Sequence, residues 1–251
     1  MLLPIGDDNR DRQLTPIVNY LFILINILVF IFLEDSARDE SFVYAYSTVP
    51  AEILNGHDLF GPHAFSNPIT GKEEYIMLGR TDIPVYLTLL TSMFMHGGWA
   101  HLLGNMLYLW IFGDNLENVM GHTKYFFFYL LCGVIAGLAH VFTTAFFGQN
   151  TLVPSLGASG AISGVLGGYM LLFPTRRVRV WIFLFIMSVP AFIAVGIWFV
   201  FQLINGMGML GGDEAGGVAY AAHIGGFVAG LLLVKRFINR TTLKEERKPV
   251  W

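Results

Sequence analysis

Gly157-Ala158-Ser159-Gly160 opens an apolar run that continues Ala161-Ile162-Ser163-Gly164-Val165-Leu166-Gly167-Gly168-Tyr169-Met170-Leu171-Leu172-Phe173. A serine between glycines at the mouth of such a run is chemically unusual. Gly157 and Gly160 leave the backbone bare on both sides of the hydroxyl, and the amides that open a helix have no partners within it. Those free N–H groups, with the positive end of the helix dipole, suit a developing oxyanion. The bland alternative is a packing face, because Gly160, Gly164 and Gly168 recur every four residues, as in tightly paired membrane helices.

The rest of the chain decides between these readings. Of its 251 residues 55% are hydrophobic and only 13% charged, and the mean hydropathy is +0.59, which marks a polytopic membrane protein. No basic patch suits nucleic acid, and the lone Cys132 has no intramolecular disulfide partner. Apolar runs near the roughly 20 residues that cross a bilayer appear at about Ile17 to Leu33, Met93 to Phe112, Tyr125 to Phe147, Leu156 to Phe173, Val180 to Ile204 and Gly217 to Val234. These predict an all-α, six-span bundle over residues 17–234 with a long outer first loop, 34–91. A polar N-tail, 1–16, and a basic C-tail, 235–251, flank it. No small-residue cleavage site follows the first apolar run, which is expected to serve as the insertion signal.

Twelve of the basic residues fall on the side of the two tails, against Arg38, Lys72 and Arg80 on the other. The excess of positive charge predicts a multi-pass cell (inner) membrane protein with both termini cytoplasmic. Short helices lying on the membrane are expected in the first loop, whose length calls for a structural or functional reason. Membrane lipid is the expected surroundings, and the oligomeric state is not readable.

Polar side chains inside spans are costly and point to function. Span two carries His96, His101 and Asn105, the last two on one helical face; span six carries His223 beside the small-residue ridge Ala222, Gly226 and Gly230. A matching ridge from Gly160 to Gly168 allows close approach of spans four and six. Counting about 1.5 Å per residue through a core of about 30 Å sets Ser159 about 9 Å and His223 about 14 Å below the outer boundary, with His101 at a similar level.

Polar groups on three helices converging at that depth suggest a water-filled pocket that opens outward, and such a pocket supports nucleophilic acyl transfer, with Ser159 needing a base and His223 the natural one. Asn105, His101 and the backbone N–H groups of Leu156 and Ser159 can donate to the tetrahedral intermediate. Spans four and six hold no Asp or Glu to orient the histidine, so the arrangement reads as a dyad. The Gly-x-Ser-x-Gly elbow is absent, because Ala161 stands where its second glycine belongs. The competing roles are hydrogen bonds between helices for His96, His140 and Asn105, and a metal site on His96, His101 and His223. The latter is disfavoured by its spacing and by the lack of a converging carboxylate or cysteine. No metal and no cofactor is expected.

Three matches carry a family resemblance: His96-Gly97-Gly98-Trp99-Ala100-His101 followed by Asn105, Gly157-Ala158-Ser159-Gly160, and Ala222-His223-Ile224-Gly225-Gly226 with Gly230 beyond. In this order, on spans two, four and six, they resemble the rhomboid intramembrane serine proteases across nearly the whole chain. The resemblance implies Ser159 as nucleophile, His223 as general base, and His101 with Asn105 as oxyanion donors. It also implies single-span transmembrane substrates cut near their outer ends, without metal or nucleotide. Span five, with bulky Trp198, Phe199 and Phe201, would act as gate, and the glycine-rich loop after it (Gly206, Gly208, Gly211, Gly212) as a movable cap. Glu117 with Gly121 resembles the family's cytoplasmic turn, where a structural role is expected.

Two positions depart from the pattern: Leu87-Thr88 where many members carry Trp-Arg, and Ser163 where some stack a tyrosine on the histidine, which leaves Ser163 to hydrogen-bond the imidazole. A catalytically silent, client-binding relative is the alternative, although such proteins typically lack the serine or the histidine. A small-solute transporter would call for inverted repeats and interrupted helices, which the sequence does not display.

Overall fold

A computed structural model describes residues 2–66, 72–210 and 219–239. Strand β1 (Leu2–Asp7) leads into helix α1 (Ile17–Leu28), which continues as one π-helical turn over Val29–Leu33. The first loop carries α2 (Glu40–Tyr46), α3 (Pro50–Asn55), the hairpin β2 (Gly61–Ser66) and β3 (Glu73–Leu78), and the short α4 (Thr88–Thr91). Then come α5 (Trp99–Met120), α6 (His122–Phe146), α7 (Ser159–Leu172), strands β4 (Arg177–Ile182) and β5 (Phe185–Pro190), α8 (Ala191–Leu210) and α9 (Tyr220–Phe237).

Helix α7 is the axis of the molecule. Its residues from Gly160 to Tyr169 are buried, and it packs most extensively against α9. The two helices approach through glycine: a Cβ on Gly226 would stand 2.1 Å from the carbonyl oxygen of Gly160, and one on Gly230 would stand 2.0 Å from that of Gly164. The two expected ridges therefore do meet, and dispersion contacts between bare backbones replace side-chain packing. Helix α6 closes the other side of α9, where Ala136 and Ala139 face Gly226 and Gly225. Tyr125, Tyr129, Tyr169, Phe112 and Phe128 fill the core toward the far end of α7.

That far end is polar and hydrogen-bonded. Glu117, fully buried, accepts hydrogen bonds from the amides of Val18 (2.9 Å) and Asn19 (2.7 Å) and pairs with His122 Nδ1 at 2.5 Å. It caps, from another helix, first-turn amides of α1 that have no acceptor within their own helix. Gly121, at φ 78°, makes the turn between α5 and α6 that this arrangement needs. Asn118 accepts from the amides of Gln13 and Leu14, Asp114 pairs with Arg12 at 2.6 Å, and Arg176 donates to Asn115.

Four expectations change. The fold is mostly helical but not all-α: β1, β4 and β5 form an antiparallel sheet, and β2 pairs with β3. The fifth apolar run does not start a helix at Val180. Arg177, Arg179 and Trp181 face outward while Val178 and Val180 are buried, which is the period of a strand, and the helix waits until Ala191 after Pro190. The second run starts its helix at Trp99, after Gly97-Gly98, and continues past Phe112 to Met120 because tertiary partners satisfy the polar residues of its last turns. Helix α8 extends through Asn205 to Leu210, where a loop was expected. Gly211, Gly212 and the rest of the expected cap, and most of the basic C-tail, lie outside the described residues.

Among the described residues, α6 is the one helix both long and apolar enough to cross a membrane by length and composition; Ile17–Leu33, Ser159–Leu172 and Ala191–Met207 are shorter apolar helices.

Candidate active site

The position of Ser159 is built by the chain that leads into α7. Gly157 has φ 124°, a backbone conformation that L side chains rarely adopt, and a Cβ there would stand 2.8 Å from His101 Cε1 and Nε2 and 3.6 Å from Ser159 Oγ. Glycine at this position thus keeps open the space between Ser159 and His101. The Gly157 amide is itself anchored, donating to the Ser92 carbonyl at 2.8 Å. Ser92 Oγ lies 2.8 Å from Thr48 Oγ1, and Thr48 pairs with Ser155 through both backbone hydrogen bonds. Thr48 of the first loop and Ser92 just after it therefore hold the segment that presents Ser159, and neither residue was singled out from the sequence.

Ser159 is the first residue of α7, so its amide and those of Gly160 and Ala161 have no acceptor within the helix. Its Oγ lies 2.7 Å from His223 Nε2, which comes from the first turn of α9. The close α7–α9 contact fixes this distance: Gly226 and Gly230 lie along α9 from His223, and Gly160 and Gly164 along α7 from Ser159. A hydroxyl so placed can pass its proton to the imidazole as it attacks an electrophile.

The other ring nitrogen, His223 Nδ1, lies 2.7 Å from Gln202 Oε1 on α8. Ser163 does not take the role expected of it. Its Oγ donates instead to the Ser159 carbonyl at 2.6 Å, one turn back along the same helix. The imidazole is also flanked by Trp198, with ring centroids 6.1 Å apart at 37°, and by the edge-on ring of Tyr220 at 6.4 Å.

Helix α5 brings two donors. Asn105 is 8% exposed, and its amide Nδ2 is buried with no partner among the described residues. His101 Nδ1 accepts a hydrogen bond from the Gly97 amide at 3.4 Å, which leaves the proton on Nε2, the nitrogen beside Gly157. Ser159, His223, His101, Asn105, Leu156 and Trp198 all line one cavity of about 950 Å³, which the segment from Gln149 to Gly157 borders at one end. Phe199 instead stacks on Phe227 at 4.1 Å, and Phe201 is exposed on the outer side of α8.

His96 stands apart from the cavity. It is fully buried, both ring nitrogens lack partners among the described residues, and its backbone amide donates to Glu34 at 3.0 Å, so the expected side-chain bond between helices is not made. Its ring meets that of His101 edge-on at 5.1 Å, which backs the donor histidine from behind. No cluster of three or more His, Cys, Asp or Glu suited to a metal ion occurs among the described residues.

A family model described as the Rhomboid domain matches residues 84–240, which include every residue of the cavity named above. The chain is 32% identical over 161 residues to Rhomboid protein 1, mitochondrial, of Saccharomyces cerevisiae, a match covering 64% of this chain and 44% of that protein. It is 34% identical over 188 residues to RHOMBOID-like protein 4 of Arabidopsis thaliana (70% and 43%) and 26% identical over 215 residues to Rhomboid protease GluP of Bacillus subtilis (86% and 34%). The chain thus spans between 34% and 44% of the length of these relatives.

Proposed function

This chain belongs to the rhomboid family of membrane-embedded proteins, and from that premise we propose that it is an intramembrane serine endopeptidase. The observation that carries the reading is the 2.7 Å contact between Ser159 Oγ and His223 Nε2 at the edge of a cavity large enough for a peptide segment. In this reading the serine hydroxyl gives its proton to Nε2 as Oγ attacks the scissile carbonyl. The resulting oxyanion lies in the space that Gly157 keeps open, near His101 Nε2–H, Asn105 Nδ2 and the Ser159 amide. Collapse returns the proton to the leaving amine, and water, deprotonated by the same imidazole, releases the acyl group.

The substrates we assign are single-span transmembrane proteins, cut near their outer ends. The catalytic unit is a six-span bundle over residues 17–234 in the cell membrane, with the tails 1–16 and 235–251 on the cytoplasmic side. The distribution of basic residues supports that orientation. Helix α8 serves as the lateral gate, with Trp198 against the cavity and Phe199 and Phe201 along its length. A cysteine placed at Val153 should then react with an impermeant reagent in intact cells while one at Lys124 stays unlabelled; the opposite pattern would put the site on the cytoplasmic side.

The deciding experiment for the activity uses a fluorophosphonate or isocoumarin probe and a panel of single-span helices in reconstituted membranes. Labelling and cleavage should both occur in the wild type, vanish in Ser159→Ala and fall steeply in His223→Ala. Their absence from well-folded protein would favour a silent, client-binding relative.

A further inference from the structure

From Ala191 to Ile204 helix α8 has one polar side chain, Gln202. Ala191, Ala194, Val195, Trp198, Phe199 and Gln202 share the face turned to the bundle, at the i, i+3, i+4 spacing of one helical stripe, and Gln202 is 5% exposed. A buried amide on an apolar stripe is costly unless it is hydrogen-bonded, so its partner is informative. That partner is His223 Nδ1, at 2.7 Å from Gln202 Oε1.

The amide oxygen can only accept. Nδ1 must therefore carry the ring proton, and Nε2 presents a lone pair to the Ser159 hydroxyl at 2.7 Å. The opposite tautomer would aim an N–H at the serine and leave it without a base. Helix α7 supplies no substitute, because Ser163 is engaged with the Ser159 carbonyl.

We propose that Gln202 is the positioning residue of the site, which fixes the tautomer and rotation of His223 and turns the expected dyad into a Ser159–His223–Gln202 relay of contacts. This rests on the peptidase reading of the preceding section. When Nε2 takes the serine proton the ring becomes cationic, and its Nδ1–H bond to the amide strengthens as a charge-assisted one. A neutral orienter stabilises that cation less than a carboxylate does, but it avoids burying a net charge among apolar helices. The orienting group also comes from a third helix. Serine and histidine are set by the α7–α9 contact, whereas the working tautomer is held only while α8 is packed against α9.

The test uses the full chain in reconstituted membranes. Gln202→Leu should lower kcat about 10- to 100-fold, less than the roughly 10⁴-fold of a lost charged orienter. KM should stay within about twofold, because Gln202 touches the base and not the substrate. Gln202→Glu, which keeps an acceptor at Nδ1, should retain most of the activity that the leucine variant loses. In ¹⁵N-histidine-labelled protein the Nδ1-bound proton resonance of His223 should be present in the wild type and the glutamate variant and absent in the leucine variant, with unchanged thermal unfolding. Wild-type kcat in Gln202→Leu, or equal losses in both variants with the resonance intact, would overturn the proposal. If the wild type neither cleaves nor labels, the peptidase reading fails and the positioning role with it, while the resonance still reports whether Gln202 holds Nδ1.

Discussion

The carbonyl oxygen of Gly160 occupies the place a side chain on Gly226 would need, only 2.1 Å from where a Cβ would stand. No rotamer relieves a clash with backbone, so Gly226→Ala must push α9 away from α7. Overpacking of this kind costs about 1–3 kcal/mol. His223 lies one turn before Gly226, so the separation also lengthens its contact with Ser159, and a displacement of about 1 Å at reacting groups can cost about 10²-fold in rate. We expect Gly226→Ala to unfold several degrees lower and to lose turnover well beyond its loss of stability. Gly196→Ala is the control: a Cβ on this α8 residue meets nothing within 4 Å, and the replacement should stabilise by about 0.5–1 kcal/mol. Equal behaviour of the two variants in thermal unfolding and turnover would remove the helix contact from the explanation.

Glu117 accepts from two amides of α1, and these donors have no acceptor within their own helix. Glu117→Ala leaves both of them without that acceptor, at about 1–3 kcal/mol for each that stays buried and unpaired. Faster hydrogen exchange should therefore concentrate at Val18 and Asn19, with little change in α9. Uniform destabilisation, or none, would show that Glu117 is not what holds the start of α1.

Much of this site was legible because its demands are local and chemical. Glycines at four-residue intervals on two runs announce a backbone contact, and a serine and a histidine inside apolar runs have few roles open to them. Gln202 was passed over because one amide in a bulky run reads as a gate, although its place on the stripe with Trp198 and Phe199 was a usable signal. The hairpin from Arg177 to Pro190 was hidden by hydropathy averaging, which ignores the alternation that separates strand from helix. The last turns of α5 lie beyond the end expected at Phe112 because the partner of Asp114 is Arg12, 102 positions away, a relation that no window along the chain contains.

Asp7 ties β1 beneath the bundle, accepting from Tyr169 at 2.6 Å and from Asn115 at 2.8 Å. Burial, reinforced by Asp114 and Asp8, pushes its carboxyl from 3.8 up to about 7 against the Tyr169 bond and Arg176. Since the docked value lies above that of the free strand, docking favours the neutral acid: it is firmest below about pH 4 and weakens as pH rises, with the full penalty in force above about pH 7. Amide protection in β4, corrected for intrinsic exchange, should fall across that window, and Asp7→Asn should flatten the dependence. An identical slope in the asparagine variant would assign the effect to another group.

The last expectation separates oxyanion donors from helix glue. Asn105 Nδ2 is buried without a partner among the described residues, and His101 has its Nδ1 occupied by the Gly97 amide, so each aims an unused N–H at the cavity beside Ser159. Leaving a donor unpaired is costly in the resting protein and useful only if charge develops next to it. Asn105→Ala and His101→Ala should each lower kcat by about 10²–10³, while Ser159 still acylates slowly with a serine probe because its contact with His223 is untouched. Asn105→Ala should lose little thermal stability, since its buried Nδ2 makes no bond among the described residues that truncation would break, whereas His101→Ala gives up only the long Gly97 bond of 3.4 Å. Gly157→Ala should mimic both, because its methyl would fill the space between Ser159 Oγ and His101 Nε2. Full turnover in the two donor variants together with lowered unfolding temperatures would make them packing residues and leave the first-turn amides of α7 as the sole stabilisers of the oxyanion.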